Sequence, residues 1–252
     1  MAASLRRAPR WSKRTDELVR YVALRCRPSF QSELGGWLED SPRFRTFVSV
    51  NQDKVRKKLT TSDEEESRLD VRAELLVAYL VLADRRFQVE FEASGARQLG
   101  PDLTATFRAN QRINLEVTRF RAAAGSAGDN VSRVASVVAG KLRQLPGGMP
   151  NVLVIVARDL PLTEDRVSDA AGLLKAHAEA KDDTFFIRRG LRNTREFRSQ
   201  FAHLSVVFLL DEATDSARVT SWLNLEVQRT MSSEALKALV ACLSTAPRSP
   251  LS

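Results

Sequence analysis

The sequence predicts an α/β fold built around a mixed sheet, and three patterns carry this prediction. Residues 15–84 show helical periodicity almost throughout. Residues 86–118 instead hold closely spaced segments in which apolar and polar residues alternate, as they do in half-buried strands. Val152–Ala157 and Val206–Leu210 are unbroken apolar runs, which are typical of strands buried on both faces. Because helical patterns separate these later strands, part of the sheet should be parallel.

The first part of the chain is predicted to form an N-terminal helical extension. Residues before about Thr15 are expected to be a loose basic arm, and Ser41-Pro42 reads as a turn. Ser62, followed by Glu65, forms a capping box that should open a long helix ending near Asp84. The helices expected before it are Thr15–Cys26, Gln31–Asp40 and Arg43–Leu59.

Three strands should follow in an antiparallel meander, because only short links separate them. The break Gly100-Pro101 separates the first strand from the second, and a turn at Asn110-Gln111 separates the second from the third. Their inward-facing residues are predicted to be Phe87, Val89 and Phe91; Leu103, Ala105 and Phe107; and Ile113, Leu115 and Val117.

The remaining elements complete a C-terminal α/β addition. A flexible loop is expected at Ala122–Asp129, and Pro146-Gly147-Gly148 should end the helix that follows it. The helices predicted are Val131–Leu145, Glu164–Lys181, Thr194–Phe201 and Ser233–Leu243, with a last strand at Val219–Leu223 and a frayed tail from Pro247.

At 252 residues the chain is long for one domain and short for two, and we predict one domain. Its successive parts are residues 1–60, the arm and helices; 61–157, the core; 158–245, the α/β addition; and 246–252, the tail. Cys26 and Cys242 have no partner spacing, so they are interpreted as buried apolar residues and not as a disulfide or zinc framework.

Nothing in the sequence indicates a membrane partner, because no segment reaches the ~18 consecutive apolar residues of a membrane span. The N-terminus is positive, but polar residues interrupt it before an apolar run could form, so it is not a secretory signal. We therefore expect a cytoplasmic location. The oligomeric state is left open.

The chain is basic, with 39 Lys and Arg against 31 Asp and Glu and a net charge of +8. Clustered basic residues favour nucleic acid as a partner, since its negatively charged phosphates bind such clusters favourably. The alternative is that the three basic clusters are solvated faces of helices with no binding role. The clusters are Arg6, Arg7, Arg10, Lys13 and Arg14; Lys54, Arg56, Lys57 and Lys58; and Arg188, Arg189, Arg192, Arg195 and Arg198.

Two carboxylates on neighbouring predicted strands are candidates for a metal site. Asp102 shares a strand face with Thr104, and Glu116 shares one with Thr118. If the strands pair, both carboxylates can converge on one side of the sheet. Two carboxylates holding a divalent cation through oxygen is the usual arrangement for magnesium. The alternative is two acids that face solvent.

Glu74 is unusual because its neighbours on the same helix ridge, such as Val71 and Val77, are apolar. A buried carboxylate needs a cation, a metal or several hydrogen-bond donors. The alternative to a metal role is a salt bridge to an arginine such as Arg72 or Arg112. Trp222 and Asn224 close the last strand, and we assign them no role.

The order of these pieces resembles the core of the PD-(D/E)xK nuclease superfamily, which includes many restriction-type endonucleases and DNA repair nucleases. The resemblance covers about a third of the chain, from Glu74 to about Ala157, and depends on order and spacing because the motifs are short. The matching segments are AELLVAYL at Ala73–Leu80, GPDLTATF at Gly100–Phe107, INLEVTRF at Ile113–Phe120, and GKLRQL followed by NVLVIV.

The resemblance implies a restriction-endonuclease-like core with Asp102 and Glu116 as metal ligands and Glu74 as an accessory. The lysine expected two residues after Glu116 is replaced by Thr118, which offers only a hydroxyl. Similar families sometimes supply this cation from the following helix, where Lys141 lies. Arg119 is the alternative source of this cation close in sequence, but the alternation of strand residues would point it to the face opposite Glu116. The alternative for Lys141 is a lysine whose stem packs beside valines.

The leading hypothesis is therefore a nuclease that uses magnesium (or manganese) to hydrolyse phosphodiester bonds, most simply in DNA. The second is a degenerate nuclease fold that binds nucleic acid or serves in an assembly without cleavage. The third is a structural subunit whose basic clusters bind an acidic protein. Zinc and histidine-based hydrolysis are disfavoured because His177 and His203 have no spaced partners, and no phosphate-binding glycine loop precedes a helix.

Overall fold

The computed structural model of the protein describes residues 11–61, 64–91, 100–121, 130–157, 164–212 and 218–245. It is an α/β protein with a six-stranded mixed sheet and, within those residues, ten α-helices. Contacts within the chain group into two units, one ending at Arg72 and the other starting at Ala73. Residues 1–10 of the predicted basic arm, the Ser62 cap, the 122–129 loop and the tail from Pro247 lie outside the described residues. The arm was predicted to extend to about Thr15, but Lys13 and Arg14 already belong to the first helix, which Ser12 caps.

The first unit is helical, as predicted. Ser12 and Ser41 each cap a helix through the side-chain oxygen, which accepts a backbone N–H from Thr15 and from Phe44. The helices are α1 (Lys13–Ala23), α2 (Pro28–Asp40), α3 (Pro42–Val50), α4 (Gln52–Thr61) and the first part of α5 (Glu65–Leu82).

The single helix predicted at Arg43–Leu59 is wrong, because the chain breaks into α3 and α4 at Asn51. The Asn51 side chain donates to the Phe47 carbonyl at 2.8 Å, and its backbone N–H donates to the same oxygen at 3.1 Å. Asparagine competes in this way with the regular helical ladder. The carbonyl of Asn51 then accepts from Val55 N–H and starts α4.

The sheet lies in the second unit, and its strands follow one another in chain order. The first three form the predicted antiparallel meander; β3, β4 and β5 are parallel, and β6 is antiparallel to β5. The strands are β1 (Phe87–Phe91), β2 (Leu103–Phe107), β3 (Gln111–Phe120), β4 (Asn151–Ala157), β5 (Leu204–Asp211) and β6 (Arg218–Leu223).

The turn between β2 and β3 lies earlier than predicted. Arg108 and Ala109 both have positive φ, at 49° and 61°, and Asn110 N–H donates to the Phe107 carbonyl. Gln111, predicted to belong to the turn, is instead the first residue of β3 and pairs with Phe107. Strand pairing determines where this turn falls, and it outweighs the steric cost of positive φ at residues other than glycine.

Helices α6 and α7 cover the face of the sheet that carries Leu153, Ile155 and Val207, and together they form a continuous apolar core. The helix predicted at Val131–Leu145 ends as an α-helix at Lys141 and tightens into a 3₁₀ turn, Leu142–Gln144. The helices of this unit are the rest of α5, α6 (Asn130–Lys141), α7 (Glu164–Glu179), α8 (Asp183–Ile187), α9 (Thr194–Phe201) and α10 (Ser233–Ser244).

Helix α8 was not predicted, because it is short and lacks a full period of apolar residues. Asp182 caps it by accepting Phe185 N–H, and Phe186 enters the core. Cys26 and Cys242 are free and buried, in agreement with the interpretation of their sequence context. No helix in the described ranges is both long and apolar enough to cross a membrane.

Candidate active site

The two predicted carboxylates meet where strand β2 begins. Leu103 pairs with Leu115, so the register continued by one position sets Asp102 opposite Glu116. Asp102 Oδ2 accepts the backbone N–H of Val117 at 2.9 Å, which attaches its carboxylate to β3 beyond the last β2–β3 pair. Pairing of neighbouring strands therefore brings both acids to one place.

Glu116 lies on the sheet face covered by α6, because its register partner in β4 is the core residue Leu153. Its exposure is 1%. Lys141, the last residue of α6, donates from Nζ to Glu116 Oε1 at 2.8 Å and to Gln144 Oε1 at 3.1 Å. The ammonium of Lys141 thus reaches across from the helix to the carboxylate on the sheet.

The charges in this cluster shift one another's pKa values. Burial, followed by the adjacent charge of Asp102, raises the pKa of Glu116 from 4.5 to about 7, against the opposing effect of Lys141. Burial works against the charged form of Lys141, but the charges of Glu116, Asp102 and Glu74 outweigh it and raise the pKa of Lys141. The lysine therefore stays charged near neutral pH.

Only one oxygen of Glu116 is used by Lys141. Glu116 Oε2 is buried and has no hydrogen-bond partner among the described residues. A buried carboxylate oxygen without a donor is costly, so this atom requires a ligand such as a cation or water. The arrangement fits a hard divalent cation, since carboxylate oxygen is the donor such ions prefer and Asp102 adds a second charge beside Glu116.

Glu74 is buried on α5, with 6% exposure, and its charge contributes to the raised pKa of Lys141. The two arginines considered as its partners have these acidic partners: Arg72 forms a bidentate pair with Glu33, and Arg112 lies 3.4 Å from Glu90. Within the described ranges no group of three or more His, Cys, Asp or Glu side chains is arranged to hold a metal. A cation at Glu116 would thus need water or substrate oxygens to complete its coordination.

Thr118 shares the face of Glu116 and pairs with Ile155, and its side chain is half-buried. Arg119 is also half-buried and alternates to the other face of β3. The cation beside Glu116 therefore comes from α6, and position 118 supplies a hydroxyl group at most.

The predicted nucleic-acid-binding residues divide between the two units. On α4, Lys54, Arg56 and Lys57 are exposed and Lys58 is half-buried, and the Arg56 guanidinium lies 4.6 Å from the centre of the Tyr21 ring. In the second unit Arg188 and Arg192 are exposed, whereas Arg189 is half-buried and stacked 3.5 Å from the centre of the Phe185 ring.

Two sets of contacts near the site were not predicted from the sequence. Gln144 orients Lys141, and its spacing of three residues on a helical segment is the signal that could have revealed the contact. Asn151 accepts from Asn114 Nδ2 and donates to the carbonyls of Pro146, Met149 and His203, which ties the chain after the 3₁₀ turn to the sheet. A polar residue immediately before an apolar strand could have indicated it.

Asn224 and Trp222, which were assigned no role from the sequence, lie at the end of the last strand of the sheet. Asn224 is buried and donates from Nδ2 to the carbonyls of Phe201 and Leu204. Trp222 packs against the core, with its ring centre 6.1 Å from that of Phe201. Both contacts are structural.

Fold and site together define an α/β protein with a mixed sheet and a buried carboxylate, Glu116, which lies beside the half-buried Asp102 and is bound by a lysine from the covering helix. Comparison of the chain with protein-family models, with curated proteins and with solved structures finds no significant match.

The raised pKa of Glu116 predicts how the stability of the metal-free protein depends on pH. The folded protein favours the protonated carboxyl, so the contribution of Glu116 is fully present below about pH 4.5 and is lost as the pH rises through about 7. The difference in unfolding free energy between Glu116→Gln and wild type should therefore shift by about 2.5 kcal/mol in favour of the variant as the pH rises from about 5 to about 8.

Urea denaturation in EDTA measures this difference. Glu90→Gln is the matched control, because Glu90 is an exposed acid on β1 of the same sheet and should show little pH-dependent difference. A difference between Glu116→Gln and wild type that stays constant with pH would contradict the electrostatic description of the site.

Proposed function

We propose that the protein is a magnesium-dependent nuclease with a restriction-endonuclease-like core, and that it hydrolyses phosphodiester bonds of DNA. One observation carries the proposal: Glu116 is buried beside Asp102, one of its oxygens is bound by Lys141, and the other lacks a hydrogen-bond partner within the described structure. Such a cluster is expensive to bury and is typical of sites where charge is used in chemistry.

The roles follow from the contacts. Asp102 and Glu116 would hold the cation, and Asp102 is oriented for this by the N–H of Val117. A bound magnesium ion lowers the pKa of water and neutralises charge on a scissile phosphate. Lys141 contributes a positive charge at the same carboxylate, where it can stabilise negative charge developing on the phosphate. Gln144 keeps the Lys141 ammonium in place.

The exposed basic residues of each unit support nucleic acid as the substrate. Exposed arginines and lysines lie on α4 and around α8 and α9, and the whole chain carries a net charge of +8. Phosphate contacts by such residues supply most of the affinity of sequence-independent binding. DNA is the substrate class that the resemblance to nucleases implies.

A second candidate is a nuclease fold that binds nucleic acid without cutting it. Two observations favour it: Thr118 stands where the motif lysine is expected, and the described residues contain no ready group of three metal-ligating side chains. In this case the Lys141–Glu116 pair would be a buried ion pair with a structural role.

Incubation of duplex DNA with the purified protein distinguishes the two candidates. We expect nicking or degradation with magnesium or manganese and none in EDTA, because the carboxylates alone cannot activate water at a phosphate. Binding should be followed in parallel by fluorescence anisotropy. If the protein binds duplex DNA but cleaves it with neither magnesium nor manganese, the proposed enzyme is overturned and the second candidate is supported.

A further inference from the structure

The segment that runs from the last residue of α8 into the first turn of α9 is strongly basic. From Ile187 to Arg195 it contains arginines and no acidic residue. The acids that flank it are held by local hydrogen bonds: Asp182 accepts Phe185 N–H, Asp183 accepts both the N–H and the hydroxyl of Thr194, and Glu196 accepts the backbone N–H of Arg192. The arginines of the segment are Arg188, Arg189, Arg192 and Arg195.

The turn at the centre of this segment is well anchored. Gly190 has φ +84°, a conformation that favours glycine, and Leu191 is buried in the core with the residues of α6. Backbone N–H groups of Arg189 and Leu191 both donate to the Phe186 carbonyl. A buried leucine and these hydrogen bonds give the turn a defined conformation.

Two arginines attach the turn to α6, which carries Lys141, and to the 3₁₀ turn that follows α6. Arg189 donates from Nε to Ser136 Oγ on α6 at 3.1 Å, and Arg143, in the 3₁₀ turn, donates to the Gly190 carbonyl at 2.9 Å. Ser136 precedes Lys141 by about 7.5 Å along the helix axis, at 1.5 Å per residue. The turn is therefore fixed on both sides of Lys141.

The remaining arginines of the turn face solvent. Arg188 is exposed, and the Arg192 side chain is 82% exposed, with Glu196 3.9 Å away. Burial and, second, the neighbouring charge of Arg188 lower the pKa of Arg189, which indicates that positive charges crowd together here. An anion placed between them would relieve this repulsion.

We infer that the turn from Arg188 to Arg192 is a phosphate-binding surface for duplex DNA. It is attached through Arg189 to α6, which carries Lys141, and through Arg143 to the 3₁₀ turn that follows α6. DNA bound there is therefore held in register with the carboxylate site of Asp102 and Glu116, that is, at a fixed position relative to it. The inference depends on the proposed function for the nature of its ligand. It assigns Arg188 and Arg192 to phosphate contact and Arg143 and Arg189 to positioning.

Binding of a labelled duplex in EDTA, followed by anisotropy over a range of salt concentrations, tests the contact residues without cleavage. Arg188→Ala/Arg192→Ala should reduce the slope of log affinity against log salt by about 1.8, since each phosphate contact contributes about 0.9. Lys237→Ala removes an exposed charge from α10 and should leave the slope unchanged. An unchanged slope in the double variant would overturn the inference.

Cross-linking tests the register. Both native cysteines are buried, so a photo-crosslinker can be attached selectively at Gln144→Cys, beside Lys141. Bound duplex should cross-link to the label on Gln144→Cys at discrete positions along the DNA. When Arg188 and Arg192 are also replaced by Ala, this cross-link should be lost even at DNA concentrations that give the same fraction of protein bound. The same photo-crosslinker attached at Lys237→Cys is the control and should give no cross-link to DNA. Bound DNA that fails to cross-link at Gln144→Cys would overturn the register.

The outcomes separate this inference from the proposed function. A reduced salt slope and a cross-link in a protein that never cleaves DNA would support the surface and refute the nuclease. Cleavage with magnesium by a protein whose salt slope does not depend on Arg188 and Arg192 would support the nuclease and refute the surface. A wild-type protein that does not bind DNA would refute both.

Discussion

Asp102→Asn and Glu116→Gln are each expected to lower magnesium-dependent cleavage of DNA by about three orders of magnitude or more, comparable to or larger than the loss of one positioned electrostatic group. Each change removes a negative charge that a hard cation requires. Each also keeps an acceptor in place, for Val117 N–H in one case and for Lys141 Nζ in the other. The fold should therefore be retained while the activity is lost.

Cleavage of a supercoiled duplex, with circular dichroism to verify folding, measures this effect. Glu90→Gln again serves as the control, because it removes an exposed charge from the same sheet, and the ion-pair partner of Glu90 is Arg112. Cleavage by Asp102→Asn at the wild-type rate would mean that the activity comes from another part of the molecule or from a contaminant.

Lys141→Met should lower cleavage by about two orders of magnitude, because it removes the positive charge at the carboxylate site and keeps the apolar stem. DNA affinity should change little. The sequence alone predicts that stability scarcely changes, but the Lys141–Glu116 distance of 2.8 Å alters this expectation. Without Lys141 the buried Glu116 loses its counter-charge, so we expect a loss of about 2–3 kcal/mol near pH 8.

The loss of stability should be smaller near pH 5, where Glu116 binds a proton and no longer needs a partner. Lys141→Arg keeps the charge and is the matched control for stability. If Lys141→Met cuts DNA as well as wild type, Lys141 has only a structural role. If wild type does not cut DNA and Thr118→Lys creates cleavage, the protein is a nuclease scaffold that has lost its chemistry.

Strands were the most predictable elements of this fold. Alternation in Phe87–Phe91 and in Leu103–Phe107 is a local property, since neighbouring side chains on a strand point to opposite faces, and both strands occur with these bounds. The buried strands β4 and β5 were equally visible as apolar runs. Boundaries that depend on single side-chain contacts, such as the break at Asn51, were not predictable from periodicity.

The candidate site was predictable in its composition more than in its contacts. Alternation could place Asp102 and Glu116 on strand faces, and it could exclude Arg119 from the face of Glu116. It could not show that Asp102 accepts the Val117 N–H, because that contact depends on where β2 begins and on the register of two strands. The contact between Lys141 and Glu116 depends in turn on how α6 packs on the sheet.

By itself, the sequence determined the class of fold, the order of the strands along the chain and the presence of acidic residues on two neighbouring strands, since these follow from composition and from the period of each element. Only the tertiary structure decided that Glu116 is buried, that Lys141 is its partner, and that the turn from Arg188 to Arg192 is attached to the helix of Lys141. These are contacts between residues far apart in the chain, and packing of helix against sheet brings them together.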